Sequence, residues 1–204
     1  MIHNIRSIDA ELRSALSEKL TPLGFRQLPG GRRLFCDTQE VTIVAEIEKG
    51  RPSSSGAYRD VVLGYFPYGT RRFLDPAFVF SQVYAHVMRE RGLGGHELYN
   101  IRNPIEHHLL VREIEELSVP FVVEHDSWSS VYHGILDGSV PTLQSTFTTP
   151  SPPALVRDAA EVAITAGNIE WLRECRERLR KSDWGDEDNE AAKMFLAELP
   201  REIE

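Results

Sequence analysis

The chain has 204 residues, a formal net charge of −8 and two cysteines, and 41% of its residues are hydrophobic. This length and composition suit one globular domain with a small extension, and they argue against a disordered chain and against a disulfide scaffold. The sequence has no apolar signal core near Met1 and no run of about 20 apolar residues. We therefore expect a cytoplasmic protein with no membrane partner.

The negative charge is concentrated in the second half of the chain. Residues 1–100 carry 13 Lys and Arg against 11 Asp and Glu, whereas residues 101–204 carry 10 against 20. Such an acidic half repels the phosphates of double-stranded nucleic acid and attracts a basic protein partner. A well-solvated surface that keeps the protein soluble explains the same charge without a partner.

The first predicted helix has an apolar stripe at helical spacing, and Pro22 and Gly24 end it. Ser7 is its candidate cap, which places Asp9 in the first turn near the positive end of the helix dipole. The stripe consists of Ile8, Leu12, Ala15, Leu16 and Leu20.

Three strands are predicted after this helix, at residues 32–37, 41–47 and 59–66. The second strand alternates apolar and polar residues, which is typical of a strand with one buried face. A hairpin at Thr38-Gln39 joins the first two strands.

Further helices are predicted at 76–91, at 104–119 and at 128–137, together with a short fourth strand at 96–102. Asp75-Pro76 and Asn103-Pro104 each place a capping residue before a proline, which favours a helix start. Pro120 is expected to interrupt the second of these helices, and Gly138 to end the third.

A Ser/Thr/Pro-rich stretch divides the chain. Residues 138–153 carry no charge, and eleven of the sixteen are Ser, Thr or Pro. We therefore predict an α+β domain at 1–137, a linker at 138–153 and a helical C-terminal extension at 154–204.

The extension contains three helical patterns, at 154–166, 169–181 and 187–199. Gly167-Asn168 separates the first two, which predicts a helical hairpin followed by a final helix. The fold class is thus α+β, with a small antiparallel sheet packed with helices, then a C-terminal helical hairpin and a final helix.

Two short phrases resemble a known family. The first predicted helix ends in Leu20-Thr-Pro-Leu-Gly-Phe25, an Arg-rich strand and an alternating hairpin follow, and residues 119–125 read Val-Pro-Phe-Val-Val-Glu-His. In these features residues 8–138 resemble a family of small bacterial proteins that carry a domain of unknown function. The resemblance implies an α+β fold and supplies no catalytic residue.

The seven histidines lack the spacing of a metal site. His96-Glu97 begins like a zinc-protease motif, but Asn100 stands where the second histidine is needed. Two other histidines have a carboxylate four residues further on, which provides two ligands where zinc needs three or four. We expect neither a metal nor a cofactor.

No nucleophile has the surroundings of a catalytic residue. His125-Asp126-Ser127 contains the residue types of a hydrolytic triad, but sequence neighbours point in different directions. Asp126 or Ser127 as the cap of the following helix is the simpler interpretation. Cys36 and Cys175 have no local signature of an activated thiolate. The local sequence therefore favours a protein that is not an enzyme but leaves the question open.

One constellation of aromatic and arginine side chains is a candidate binding surface. Eight of the chain's 18 aromatic residues, among them Tyr68, lie within residues 58–84, where Arg71-Arg72 also lie. Arg32-Arg33 lie on a strand that can neighbour this segment. Such side chains can stack on bases and grip phosphates, or anchor a protein interface. Packing of the sheet against a helix is the third explanation.

The sequence favours a non-catalytic protein-interaction module, immunity-like or antitoxin-like, that binds a basic protein through its acidic half or through the aromatic segment. The alternative is an enzyme or nucleotide-binding module whose site is assembled from distant residues. Under either hypothesis the candidate ligand- or partner-binding residues are Arg32, Arg33, Tyr68, Arg71, Arg72 and His96.

Overall fold

The computed structural model describes residues 5–28, 32–49, 58–69, 84–86, 99–140, 151–181 and 184–200. These ranges contain six α-helices: α1 (Ile5–Leu20), α2 (Pro104–Glu124), α3 (Trp128–Asp137), α4 (Pro152–Thr165), α5 (Ile169–Lys181) and α6 (Asp186–Glu198). They also contain six strands: β1 (Arg26–Gln27), β2 (Arg33–Asp37), β3 (Val41–Lys49), β4 (Tyr58–Pro67), β5 (Tyr84–His86) and β6 (Tyr99–Asn100). The fold is α+β, as the sequence predicts.

The six strands form one antiparallel sheet in the order β1-β2-β3-β4-β5, and β6 pairs with the start of β4. The longest pairing joins β3 to β4, from Val41 opposite Pro67 to Lys49 opposite Arg59. The predicted hairpin between β2 and β3 is confirmed. In its turn the backbone N–H of Thr38 donates a hydrogen bond to the Val41 carbonyl. This register fixes which side chains of β3 and β4 face the helices.

The core lies between the sheet and the helices. Alternate residues of β3 and β4 share one core cluster with the apolar stripe of α1 and with α2. The opposite face of the sheet also has buried residues, including Val44 and Phe66, which belong to a second, smaller cluster. The residues of β3 and β4 that belong to the core with α1 are Val41, Ile43, Ala45, Ile47, Val61, Leu63 and Tyr65.

The start of α1 differs from the prediction. The helix includes Ile5, so Ser7 lies inside it and the predicted cap at Ser7 is wrong. Asp9 is consequently a residue of the second helical turn, and it is buried rather than solvated. An apolar stripe predicts which face of a helix is buried, but it does not define the residue at which the helix begins.

Two further predictions about helices fail. Tyr84–His86 form strand β5 against β4, where a helix over 76–91 is expected; the rest of that segment lies outside the described residues. A short run rich in valine and aromatic residues fits a strand as well as a helix. Pro120 does not interrupt α2, which continues to Glu124 because Phe121 and Val122 are buried in the core beyond it.

The C-terminal helical hairpin of α4 and α5 and the final helix α6 are confirmed. α3 packs on α4, and α4 packs on both α5 and α6. Arg176 of α5 donates to the carbonyls of Leu199 and Pro200 at 2.8 and 3.0 Å, which ties the end of α6 to α5. No described helix combines the length and the apolar character that a membrane span requires.

Candidate functional site

An open cleft of about 510 Å³ lies where one end of the sheet meets the starts of α3 and α5. We call it the aromatic cleft because two tryptophans and a tyrosine line it. Its lining comprises Glu40, Pro67, Tyr68, Trp128, Ser129, Thr165, Ala166, Asn168 and Trp171.

The sheet places Glu40 and Tyr68 side by side. Glu40 lies in the β2–β3 turn, whose backbone amides donate to the hydroxyl of Thr38. The backbone N–H of Tyr68 donates to the Glu40 carbonyl at 3.2 Å. The Tyr68 side chain is 62% exposed, and Glu40 is exposed as well. An acidic residue and an aromatic residue therefore lie on neighbouring backbone segments at the rim of the cleft.

The start of α3 supplies Trp128 and Ser129. Ser127 caps this helix, as expected for one of the two candidates, and its hydroxyl accepts from the Ser130 backbone N–H at 3.2 Å. The Ser130 hydroxyl is in turn close to the Ser127 backbone N–H, which completes a capping box. Trp128 is only 7% exposed, so it forms the floor of the cleft.

The turn between α4 and α5 supplies the opposite wall. Gly167 adopts φ +68°, a conformation that favours glycine, and Asn168 caps α5 by accepting from the amides of Glu170 and Trp171 at 3.1 Å each. The Trp171 ring stacks on Tyr132 of α3, with centroids 4.6 Å apart and planes 10° apart. This stacking holds the Trp171 ring in place.

Hydrogen bonds reinforce the contact between α3 and α5. The Tyr132 hydroxyl lies 3.1 Å from a carboxylate oxygen of Glu174 and 3.5 Å from the Cys175 sulfur. Burial, followed by the contacts with Cys175 and Glu174, raises the pKa of the Tyr132 phenol. The hydroxyl therefore keeps its proton and donates it to the hydrogen bond with Glu174.

The arrangement suits a ligand that carries positive charge. Aromatic faces attract cations, and Glu40 adds a carboxylate at the rim. None of the described residues that line the cleft is Lys or Arg. The helix starts carry partial positive charge, but Ser127 and Asn168 already accept hydrogen bonds from their amides.

The structure separates the candidate residues that it describes. Tyr68 lines the aromatic cleft, whereas Arg33 pairs with Glu46 further along the sheet, and Arg32 is exposed. Arg33 lies opposite Glu46 of β3, and Glu46 lies opposite Val62 of β4. Because Tyr68 follows Val62 by six residues, about 20 Å of strand separates Arg33 from Tyr68 along the sheet. The other three candidates, Arg71, Arg72 and His96, lie outside the described residues.

Sequence reasoning missed the other residues of the cleft. Trp128 fits the apolar stripe of its helix, and Glu40 resembles any polar turn residue. Trp171 precedes the buried stripe of α5, Leu172, Cys175 and Leu179, by one position. A tryptophan at the margin of an apolar stripe was the one signal in the sequence for a half-exposed aromatic wall.

The described residues do not form a metal site or surround a reactive thiol. They contain no group of three or more His, Cys, Asp or Glu placed to hold a metal ion. Burial is the main cause that raises the pKa of both the Cys36 and the Cys175 thiol. Both cysteines therefore stay protonated near neutral pH and are poor nucleophiles.

Comparison with protein-family models, with curated proteins and with solved structures finds no match to this chain.

Proposed function

We propose that this protein is a non-catalytic interaction module, of the immunity-like or antitoxin-like kind, that binds a basic protein through the aromatic cleft. The observation that carries the proposal is the exposed Tyr68 beside Glu40 at the rim of a cleft floored by Trp128. Tyrosine and tryptophan are enriched at protein interfaces, where one part of the ring is buried and another stays wet.

The charge of the chain supports a basic partner. The cleft is built partly from α3, α4 and α5, which belong to the half of the chain with 20 acidic and 10 basic residues. Glu40 contributes a carboxylate from the other half. A partner of opposite charge would associate faster and more specifically than a neutral one.

The described residues do not assemble the site that the enzyme alternative suggests. Arg33 and Tyr68 are both among the residues suggested for that site, and they lie at different levels of the sheet. The Arg33 guanidinium is also engaged by Glu46. Tyr68 instead shares its cleft with aromatic side chains.

The test is affinity capture from the native host lysate with the wild-type protein and three variants, at low and at moderate salt. Tyr68→Ala and Glu40→Gln alter the cleft, and Ile105→Ala removes another exposed apolar side chain elsewhere, on α2. We expect one basic protein in stoichiometric amount that is lost at moderate salt and from both cleft variants but retained by Ile105→Ala.

Capture that is equal for all four proteins would place the interface outside the cleft. Capture of no protein at low salt would remove the support for an interaction module.

A further inference from the structure

We infer that the aromatic cleft receives an arginine side chain of the partner, with the guanidinium plane on the Tyr68 ring and its charge beside Glu40. The inference rests on the proposed function, and it names the chemical group that the cleft recognises.

The protein combines an arginine with an aromatic ring and a carboxylate twice within its own chain. The guanidinium carbon of Arg26 lies 4.7 Å from the centroid of the Phe35 ring, and its Nη2 lies 3.5 Å from an Asp37 oxygen. This first cluster therefore combines one arginine, one aromatic face and one carboxylate.

The second example lies between α4 and α6. The Arg157 guanidinium carbon is 4.8 Å from the Phe195 centroid, and its Nε donates to Asp158 at 3.0 Å. A planar guanidinium can stack on a ring and donate to a carboxylate at once, because its N–H donors lie in its own plane.

The rim of the cleft offers two of these three groups. Tyr68 supplies the exposed ring and Glu40 the carboxylate, on backbone segments joined by a 3.2 Å hydrogen bond. The described lining contains no arginine to complete the set. An arginine from a second molecule would complete it.

Arginine fits the cleft better than the other charged side chains. Lysine carries a compact, strongly hydrated charge and gains less from stacking on an aromatic face. An acidic side chain would be repelled by Glu40, and the capping side chains Ser127 and Asn168 already accept from helix amides near the cleft.

The test uses the full chain and short peptide amides of the form Gly-Arg-Gly-Arg-Gly, with citrulline, lysine or glutamate in place of arginine. Citrulline keeps the shape and hydrogen-bonding plane of arginine without its charge. Binding is followed by NMR on the indole N–H signals of the three tryptophans, assigned by Trp→Phe variants.

We expect the arginine peptide to shift the Trp128 and Trp171 signals saturably and to leave Trp184, which does not line the cleft, unchanged. Glu40→Gln and Tyr68→Ala should each weaken binding about three- to five-fold, as expected for one ion pair or one cation–π contact. Glu18→Gln, which changes an exposed carboxylate on α1, should leave binding unchanged.

Equal binding of the citrulline peptide, tighter binding of the glutamate peptide, or no saturable shift at millimolar arginine peptide would each overturn the inference. A captured partner that binds Glu40→Gln and Tyr68→Ala as well as wild type would also overturn it, although the proposed interaction function would stand. Arginine-peptide binding without any captured protein would instead support the inference and count against the proposed function.

Discussion

Arg59 of β4 and Asp9 of α1 form a bidentate ion pair in the interior of the protein. Nε lies 2.6 Å from Oδ1 and Nη2 lies 3.0 Å from Oδ2, and the two residues are only 1% and 7% exposed. The two parallel hydrogen bonds of such a pair are directional. They therefore fix the orientation of α1 on the sheet.

Removal of one partner from this pair should be strongly destabilising. Asp9→Ala removes the Asp9 carboxylate and both of its hydrogen bonds from the buried Arg59 guanidinium, and we expect the free energy of unfolding to fall by about 3–5 kcal/mol. Urea unfolding followed by circular dichroism measures the change. Glu18→Ala, on the exposed face of the same helix, should change it by no more than about 0.5 kcal/mol. Similar losses for the two variants would show that the pair has no special role.

Gly134 of α3 should resist substitution even though alanine is the better helix former. A Cβ at this position would lie 2.5 Å from a methyl carbon of Val140 and 3.1 Å from Nε2 of His125. We expect Gly134→Ala to destabilise the protein by about 1–3 kcal/mol, because the steric overlap outweighs the helix propensity gained.

Thermal unfolding of Gly134→Ala, Val140→Ala and the double variant separates these effects. Gly134→Ala should lower the Tm less in the Val140→Ala protein than in the wild type, because Val140→Ala removes the nearest methyl group. A Gly134→Ala protein with a higher Tm than wild type would contradict the predicted overlap.

The stability of the protein should fall at alkaline pH. Burial is the first cause that raises the pKa values of Tyr65, Tyr132 and Cys175 in the folded protein. In the unfolded chain these groups ionise near their ordinary values, 9.0 for cysteine and 10.0 for tyrosine. Unfolding therefore releases protons above about pH 9, so the free energy of unfolding decreases there by up to about 1.4 kcal/mol per pH unit for each group.

Urea unfolding at intervals from pH 7 to pH 11 measures this slope. A Tyr132→Phe/Cys175→Ala protein lacks two of the groups whose pKa burial raises, so its stability should decline less steeply above pH 9, whatever its stability at pH 7. An unchanged slope would mean that these two groups ionise freely in the folded protein.

The two thiols should differ in reactivity. Cys175 of α5 is buried against Tyr132 of α3, whereas Cys36 is half-buried on β2. A thiol reagent added to the native protein should modify Cys36 first and reach Cys175 only as the chain unfolds. Cys36→Ser and Cys175→Ser variants assign each rate, and rapid labelling of Cys175 in the native Cys36→Ser protein would contradict its burial.

The elements with a strong period could be predicted from the sequence. The alternation in β3 and the i, i+3, i+4, i+7 spacing in α3 are local patterns, and both elements form as expected. The role of Asp9 could not be predicted, because its partner Arg59 lies 50 residues away and nothing in the local sequence connects them.

The aromatic cleft could not be predicted from local sequence patterns for the same reason. Tyr68 stands beside Glu40 through a backbone hydrogen bond between strand ends, and Trp128 and Trp171 reach the site through helix packing. Of these four residues, Tyr68 is the one predicted as a binding residue, because it belongs to a dense aromatic segment. The rest depends on tertiary structure.

The packing of α3 on α4 joins two stretches of chain on either side of residues 141–150. Buried residues of both helices, including Val131 and Ala159, belong to one core cluster. This contact does not require an unbroken backbone. A cut within residues 141–150 should therefore leave two fragments that co-purify as a noncovalent complex, whereas either fragment produced alone would expose part of this core and tend to self-associate.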